Sequence, residues 1–162
     1  MSDQIYAVLI ALESDALLLP NTAVAEVVPH TGMQPATAGG GWLLGHCHWN
    51  GQRVPVISFE MLNGAAAAEP GRRARIVIVH ALSSQRSAGA IGILTQGHPH
   101  LVTLNRAALV SRPLRETDRV DLVLSRVSIA NHEAAIPDLE TIETDLMRNH
   151  VLSTEAQAAP AV

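Results

Sequence analysis

GHCHWNGQRVPVISF, residues 45–59, decides the fold of this 162-residue chain. Asn50-Gly51 stands between two apolar runs, 42–49 and 53–59. Both residues accept positive φ, the backbone state a two-residue hairpin turn requires, so the pair predicts a β-hairpin. Pro55 lies inside the second run and predicts an edge strand or a bulge there, because proline donates nothing to a ladder.

On either side of that hairpin the pattern is the same: short apolar runs separated by turn-formers. Upstream, residues 5–12 and 16–19 flank Glu13-Ser14-Asp15 and predict a second hairpin, which Pro20 stops. Asn21 is placed to cap a short helix over 23–27 before Pro29 ends it. Residues 31–41, with Pro35 and Gly39-Gly40-Gly41, predict a loop, as do 63–71. Within 74–82, Ile76-Val77-Ile78-Val79 is a run suited to a strand buried on both faces. After a polar turn at 83–87 come strands over 88–94 and 100–104, broken near Gly97-His98-Pro99. A charged loop follows at 111–119, then strands at 120–124, 127–130 and 134–136.

The one helix expected is last. Asp138 after Pro137 suits a helix start, and Leu139, Ile142, Leu146 and Met147 recur at helical spacing. Glu140, Glu143 and Asp145 are expected on its solvated face. Residues 1–150 then form one domain, and 151–162, small and alanine-rich, a disordered tail. No helix suits a βαβ crossover and no repeat has a fixed period. Many short strands at regular intervals predict an all-β barrel or sandwich.

Composition narrows the function. The net charge is −4, and no Lys/Arg block grips nucleic acid. The chain has only four aromatics (Tyr6, Trp42, Trp49 and Phe59), too few for a base-stacking platform. No apolar stretch approaches the ~20 residues of a membrane span. No signal-peptide pattern appears, so the cytoplasm is expected. Cys47 is the only cysteine, which excludes an internal disulfide.

Candidate chemistry is sparse. His46 and His48 point to one face of a strand, with Cys47 on the other. His98 and His100 flank Pro99 as a second pair. Four imidazoles would hold zinc if the pairs met, so a small metal-binding β-protein is an alternative reading, although histidine is common on half-buried strands. Cys47 reads as a buried thiol, since neither neighbouring histidine faces it. No nucleophile elbow and no phosphate-binding glycine fingerprint occurs. Neither catalysis nor a cofactor is expected, and function shifts toward binding.

The order of these pieces resembles the CheW-like domain family. Residues 10–28, IALESDALLLPNTAVAEVV, are similar to its opening hairpin and V-x-E-[IV] segment, here Val24-Ala25-Glu26-Val27. Residues 45–59 resemble its G-x-x-x-x-R-G-x-x-x-P-V-[IV]-D-[LF] hairpin. Residues 75–79 and 89–94 resemble its R-[IV]-[IV]-[IV]-V and G-[LI]-x-V strands, and 135–139, AIPDL, its closing strand. The likeness spans about residues 5–147.

The resemblance implies two intertwined five-stranded SH3-like β-barrels as subdomains of one domain, with a C-terminal helix. It implies a non-catalytic chemotaxis adaptor that binds the regulatory domain of a CheA-type histidine kinase and a methyl-accepting receptor, meeting the membrane only through the receptor. The partner-binding residues it implies are Val24, Glu26, Gly45, Asn50 and Gly51. On that basis Gly45→Asp is expected to weaken partner binding with the fold intact. Asn50 stands where the family has arginine, Ser58 where it has aspartate, and 45–49 carry two histidines and a tryptophan. These departures favour a divergent adaptor similar to the ChpC proteins of type IV pilus (twitching) systems, or a competitor that binds the kinase alone.

Overall fold

The computed structural model describes residues 4–36, 41–66, 70–81, 89–129 and 131–158. Strand β1 (Gln4–Ala11) pairs antiparallel with β2 (Ala16–Pro20), register Ala7↔Pro20 to Ala11↔Ala16. A 3₁₀ turn at Asn21–Ala23 leads to β3 (Val24–Pro29), and a second at His30–Gly32 to β4 (Gln34–Pro35). Then come β5 (Leu43–Trp49), β6 (Gln52–Ile57) and a short helix α1 (Phe59–Leu62). Strands β7 (Arg75–His80), β8 (Ala90–Thr95) and β9 (His100–Asn105) follow. A 3₁₀ turn at Arg106–Ala108 joins β9 to β10 (Val110–Arg112). Strands β11 (Val123–Ile129) and β12 (His132–Pro137) precede helix α2 (Leu139–Ala158).

The strands form two six-stranded sheets, β10-β11-β12-β2-β1-β9 and β3-β7-β8-β6-β5-β4. In each sheet the two outermost strands are consecutive in sequence and joined by a 3₁₀ turn, so the chain steps from one sheet edge to the other within a few residues. That short link draws the edges together, because an extended residue spans at most ~3.6 Å. The fold is all-β with a C-terminal helix, as expected.

The same unit occurs twice: hairpin, strand–3₁₀–strand, second hairpin, helix. The first hairpin of each unit completes the sheet of the other. β1–β2 join β9–β12, and β7–β8 join β3–β6, each through one antiparallel ladder (β1–β9 and β3–β7) and one short parallel contact (β12–β2 and β6–β8). The second hairpins match in detail. Each carries a register shift, at Leu43/Gly45 and at Val123/Ser125. Each turn holds a positive-φ residue, Gly51 (74°) and Asn131 (76°). Each is followed by a helix whose first-turn backbone N–H donates to a capping side chain, Met61 N to Ser58 Oγ and Glu140 N to Asp138 Oδ1. No fixed period shows in the sequence because turn chemistry repeats while side chains do not: Val-Pro-Val-Ile at 54–57 answers Ala-Ala-Ile-Pro at 134–137.

Three cores follow. Cys47, Val54, Ile76, Ile78 and Leu94 fill the interior bounded by the β3–β8 sheet, and Ala7, Leu18, Leu104 and Ile129 fill the other. Between the sheets, Val8, Ile10 and Leu17 meet Val77, Val79, Ile91 and Ile93, with Phe59, Ile142 and Leu146 sealing the seam. The alternation along β7, Ile76 and Ile78 to one core and Val77 and Val79 to the other, is the two-faced burial its β-branched run predicts.

Several local expectations are corrected. Residues 24–27 are strand, not helix, because Val24 and Val27 reach the inter-sheet core from β3. Pro55 lies in an interior strand; it precedes the β6–β8 ladder, which begins at Val56, so its missing N–H takes nothing from that ladder. Residues 59–62 are a capped helical turn. Residues 120–122 form a turn bonded to the Arg119 carbonyl, and β11 is one strand through Ser125-Arg126. Residue 150, the expected domain end, falls inside α2. The expected turn at 83–87 lies outside the described residues.

Candidate functional site

The β5–β6 turn has the geometry its sequence demands. Asn50 (φ 52°) and Gly51 (φ 74°) both adopt positive φ and both are exposed. A Cβ on Gly51 would meet nothing within 4 Å, so backbone conformation rather than space selects glycine there. On β3, at the opposite edge of the same sheet, Val24 is half-buried against the inter-sheet core and Glu26 is exposed. A register shift between Val24 and Glu26 marks a bulge, which re-aims the side chains around it. The indole Nε1 of Trp49 donates to Glu26 Oε2 and ties the β5–β6 turn to β3. Val24, Glu26, Asn50 and Gly51 therefore share one sheet, and Trp49, which sequence reasoning missed, links its edge strand β3 to the end of β5. The available signal was an aromatic residue next to a hairpin turn in a chain with four aromatics.

Gly45 plays a different part. It is buried, and an added Cβ would lie 2.0 Å from the Gln34 carbonyl oxygen. Glycine here lets β4 close on β5. The expectation that Gly45→Asp leaves the fold intact does not survive this geometry.

The histidine pairs stand apart in the topology: His46 and His48 on β5, His100 on β9 of the other sheet opposite Leu9, with His98 just before β9. Among the described residues no group of three or more His, Cys, Asp or Glu is arranged to hold a metal. Cys47 is buried, and burial pushes its thiol above the ordinary range, away from nucleophilic thiolate.

The largest polar constellation was not foreseen. Arg126, fully buried on β11, donates Nε and Nη2 to Asp118 (2.6 and 2.8 Å) and Nη1 and Nη2 to Asp15 in the β1–β2 turn (2.9 Å each). These two forked pairs, first the hydrogen bonds and then the charge, hold Asp118 far below the usual carboxylate range and Arg126 above its own. Asn63, just after α1, donates to Asp118 (3.0 Å) and accepts from Arg119 N (2.8 Å). Arg119 also bonds Asp145 of α2 (2.8 Å). Glu60 of α1 accepts from Glu13 N, Ser14 N and Ser14 Oγ at 2.7, 3.0 and 2.6 Å. The charged loop of 111–119 is exposed through 117, and its one buried residue, Asp118, enters this junction through Arg126, which also grips the Asp15 turn of the exchanged hairpin. A lone arginine in an apolar strand, VLSRVSI, was its sequence signal, because a buried charge demands partners. The solvated acidic face of α2 is corrected in part: Glu143 is buried and Asp145 is paired with Arg119, while Glu140 is exposed.

Apolar surface remains uncovered. Tyr6 (56% exposed) and Leu101 (66%) extend the face of β1 and β9 that carries Val8 into the inter-sheet core, and Val120 (81%) and Leu124 (62%) flank the junction. Surface of this kind suits protein contact. Among the described residues no helix is long and apolar enough to cross a membrane.

Comparison with known proteins agrees with the geometry. The family model for the CheW-like domain matches residues 7–145. Fifteen solved chains match. Among them is the scaffolding protein TtCheW from Thermoanaerobacter tengcongensis, at TM-score 0.68 and 18% identity, covering 83% of this chain and 88% of that one. No curated protein matches the chain.

Proposed function

The chain belongs to the CheW-like domain family, and from that premise we propose that it is a non-catalytic chemosensory adaptor coupling a CheA-type histidine kinase to methyl-accepting receptors. One observation carries the reading: the family match runs through 7–145, taking in both sheets and the docked start of α2. A protein built as two sheets sharing a seam offers separate faces to separate partners. The kinase partner is its regulatory domain, and the receptor partner is the cytoplasmic tip. The adaptor works in the cytoplasm and reaches the membrane only through the receptor.

The receptor-facing surface is Val24, Glu26, Asn50 and Gly51, joined by Trp49, with Gly45 beneath shaping the β4–β5 edge. Asn50, Ser58 and Trp49 set the chain apart from the family pattern and favour a ChpC-like role in type IV pilus signalling. Asn50 in particular removes a bidentate cation from the turn, which supports a second reading: a competitor that binds the kinase and leaves receptors uncoupled.

Calorimetric titration of the purified chain with the regulatory domain of a CheA-type kinase from the same genome tests this, with and without a receptor tip fragment. Saturable kinase binding with added receptor binding is expected. Kinase binding alone makes it a competitor. No binding to either at high micromolar concentration overturns the adaptor reading.

A further inference from the structure

Glu26 is aimed and steadied by two separate devices. The bulge on β3 sets its direction, and the Trp49 indole, from the end of β5, holds Oε2. Trp49 is itself anchored, because its ring packs against the core of the β3–β8 sheet. Both the bulge and the indole fix the carboxylate without neutralising it. An indole N–H is a neutral donor. Arg115, Arg119 and Arg126 pair with other carboxylates, Asp15, Glu133, Asp121, Asp145 and Asp118. Arg53 on the neighbouring β6 forms none of these pairs. Asn50, at the adjacent turn, brings no charge.

A carboxylate held in a fixed orientation, exposed and free of a cation, is prepared for an incoming one. Ordering Glu26 in advance removes side-chain entropy that binding would otherwise have to overcome. We infer that Glu26, positioned by Trp49, selects a receptor-tip helix that places an arginine or lysine against it. This inference rests on the adaptor reading and names the chemistry of its receptor partner. Val24 supplies the apolar contact on the same strand, so the preferred segment carries a basic residue next to an aliphatic one. Trp49 acts through Glu26 and is a positioning residue.

The test titrates the full chain with a receptor tip fragment, and separately with the kinase regulatory domain, between about 50 and 300 mM salt, a range over which screening of exposed charges changes strongly. Glu26→Gln keeps the shape and still accepts the indole bond while removing the charge. Trp49→Phe keeps the ring and removes the N–H. Glu26→Gln is expected to weaken receptor binding about tenfold at low salt and to flatten its salt dependence, with kinase binding unchanged. Trp49→Phe is expected to weaken receptor binding about threefold and keep the wild-type salt slope. Wild-type affinity and slope in Glu26→Gln overturn the inference and leave the adaptor reading standing. So does weakened binding with an unaltered slope, or a loss confined to the kinase domain. Absence of wild-type binding to both partners overturns the adaptor reading and this inference with it.

Discussion

Replacing Arg126 with methionine isolates the energetics of the buried junction. The guanidinium is fully buried, and the side chains of its two carboxylate partners, Asp15 and Asp118, are only 6% and 1% exposed. Methionine fills much of the space but leaves two buried carboxylates without their shared cation. Breaking a buried pair by removing one partner costs about 3–5 kcal/mol. For a domain of this size that lowers Tm by roughly 6–20 °C.

The pH dependence carries the sign. In the wild type the Asp118 carboxyl is depressed, so its stabilisation is present above the unfolded-state carboxylate range and is lost only as pH falls through the lower folded value. In Arg126→Met, Asp118 keeps its desolvation but loses the guanidinium, so its carboxyl rises above the unfolded value. The folded variant then binds more protons than the unfolded chain, and it gains stability as pH falls toward about 4–5. Urea unfolding at pH 7 and pH 5 measures both effects. A loss under about 1 kcal/mol at pH 7, or an equal loss at both pH values, refutes this account of the junction.

Three further outcomes are expected. Gly45→Ala forces its Cβ onto the Gln34 carbonyl and destabilises by about 1–3 kcal/mol, with faster amide exchange at Ala36, whose N–H bonds Leu44 O; urea unfolding with exchange NMR reads both. Glu60→Ala removes the acceptor for Glu13 N, Ser14 N and Ser14 Oγ, lowers stability by about 1–2 kcal/mol and exposes those amides, as exchange at Glu13 and Ser14 reports. Gly51→Ala meets no atom but must hold φ 74°, so thermal unfolding shows a loss of about 1 kcal/mol while Trp49 fluorescence stays native.

What the sequence discloses is local. Asn50-Gly51 announces its hairpin because both φ values are dictated by the turn itself. The run at 76–79 announces a two-faced strand because each side chain is β-branched. Long-range partnership leaves no such mark. Nothing near Arg126 in sequence names Asp15 as its mate, and Glu143 looks like any acidic helix residue until α2 docks. Val24 and Val27 follow the inter-sheet core rather than the capping residue before them. The site divides the same way. Val24, Glu26, Asn50 and Gly51 are picked out as candidates by the ordered motifs. Trp49 is seen only when β3 and β5 are placed in space, and Gly45 only when β4 lies across it.

The exchange of hairpins bears on how the protein is made. Ala11 and Ala16 close a turn early, but the strands and the arginine that hold this hairpin in place come from β9 onward and from position 126. As the chain leaves the ribosome, the opening hairpin waits for most of the remainder to be synthesised before its sheet can form. The other sheet likewise waits for β7 and β8. A prematurely ended chain therefore lacks a finished sheet around its first strands and is exposed to proteases.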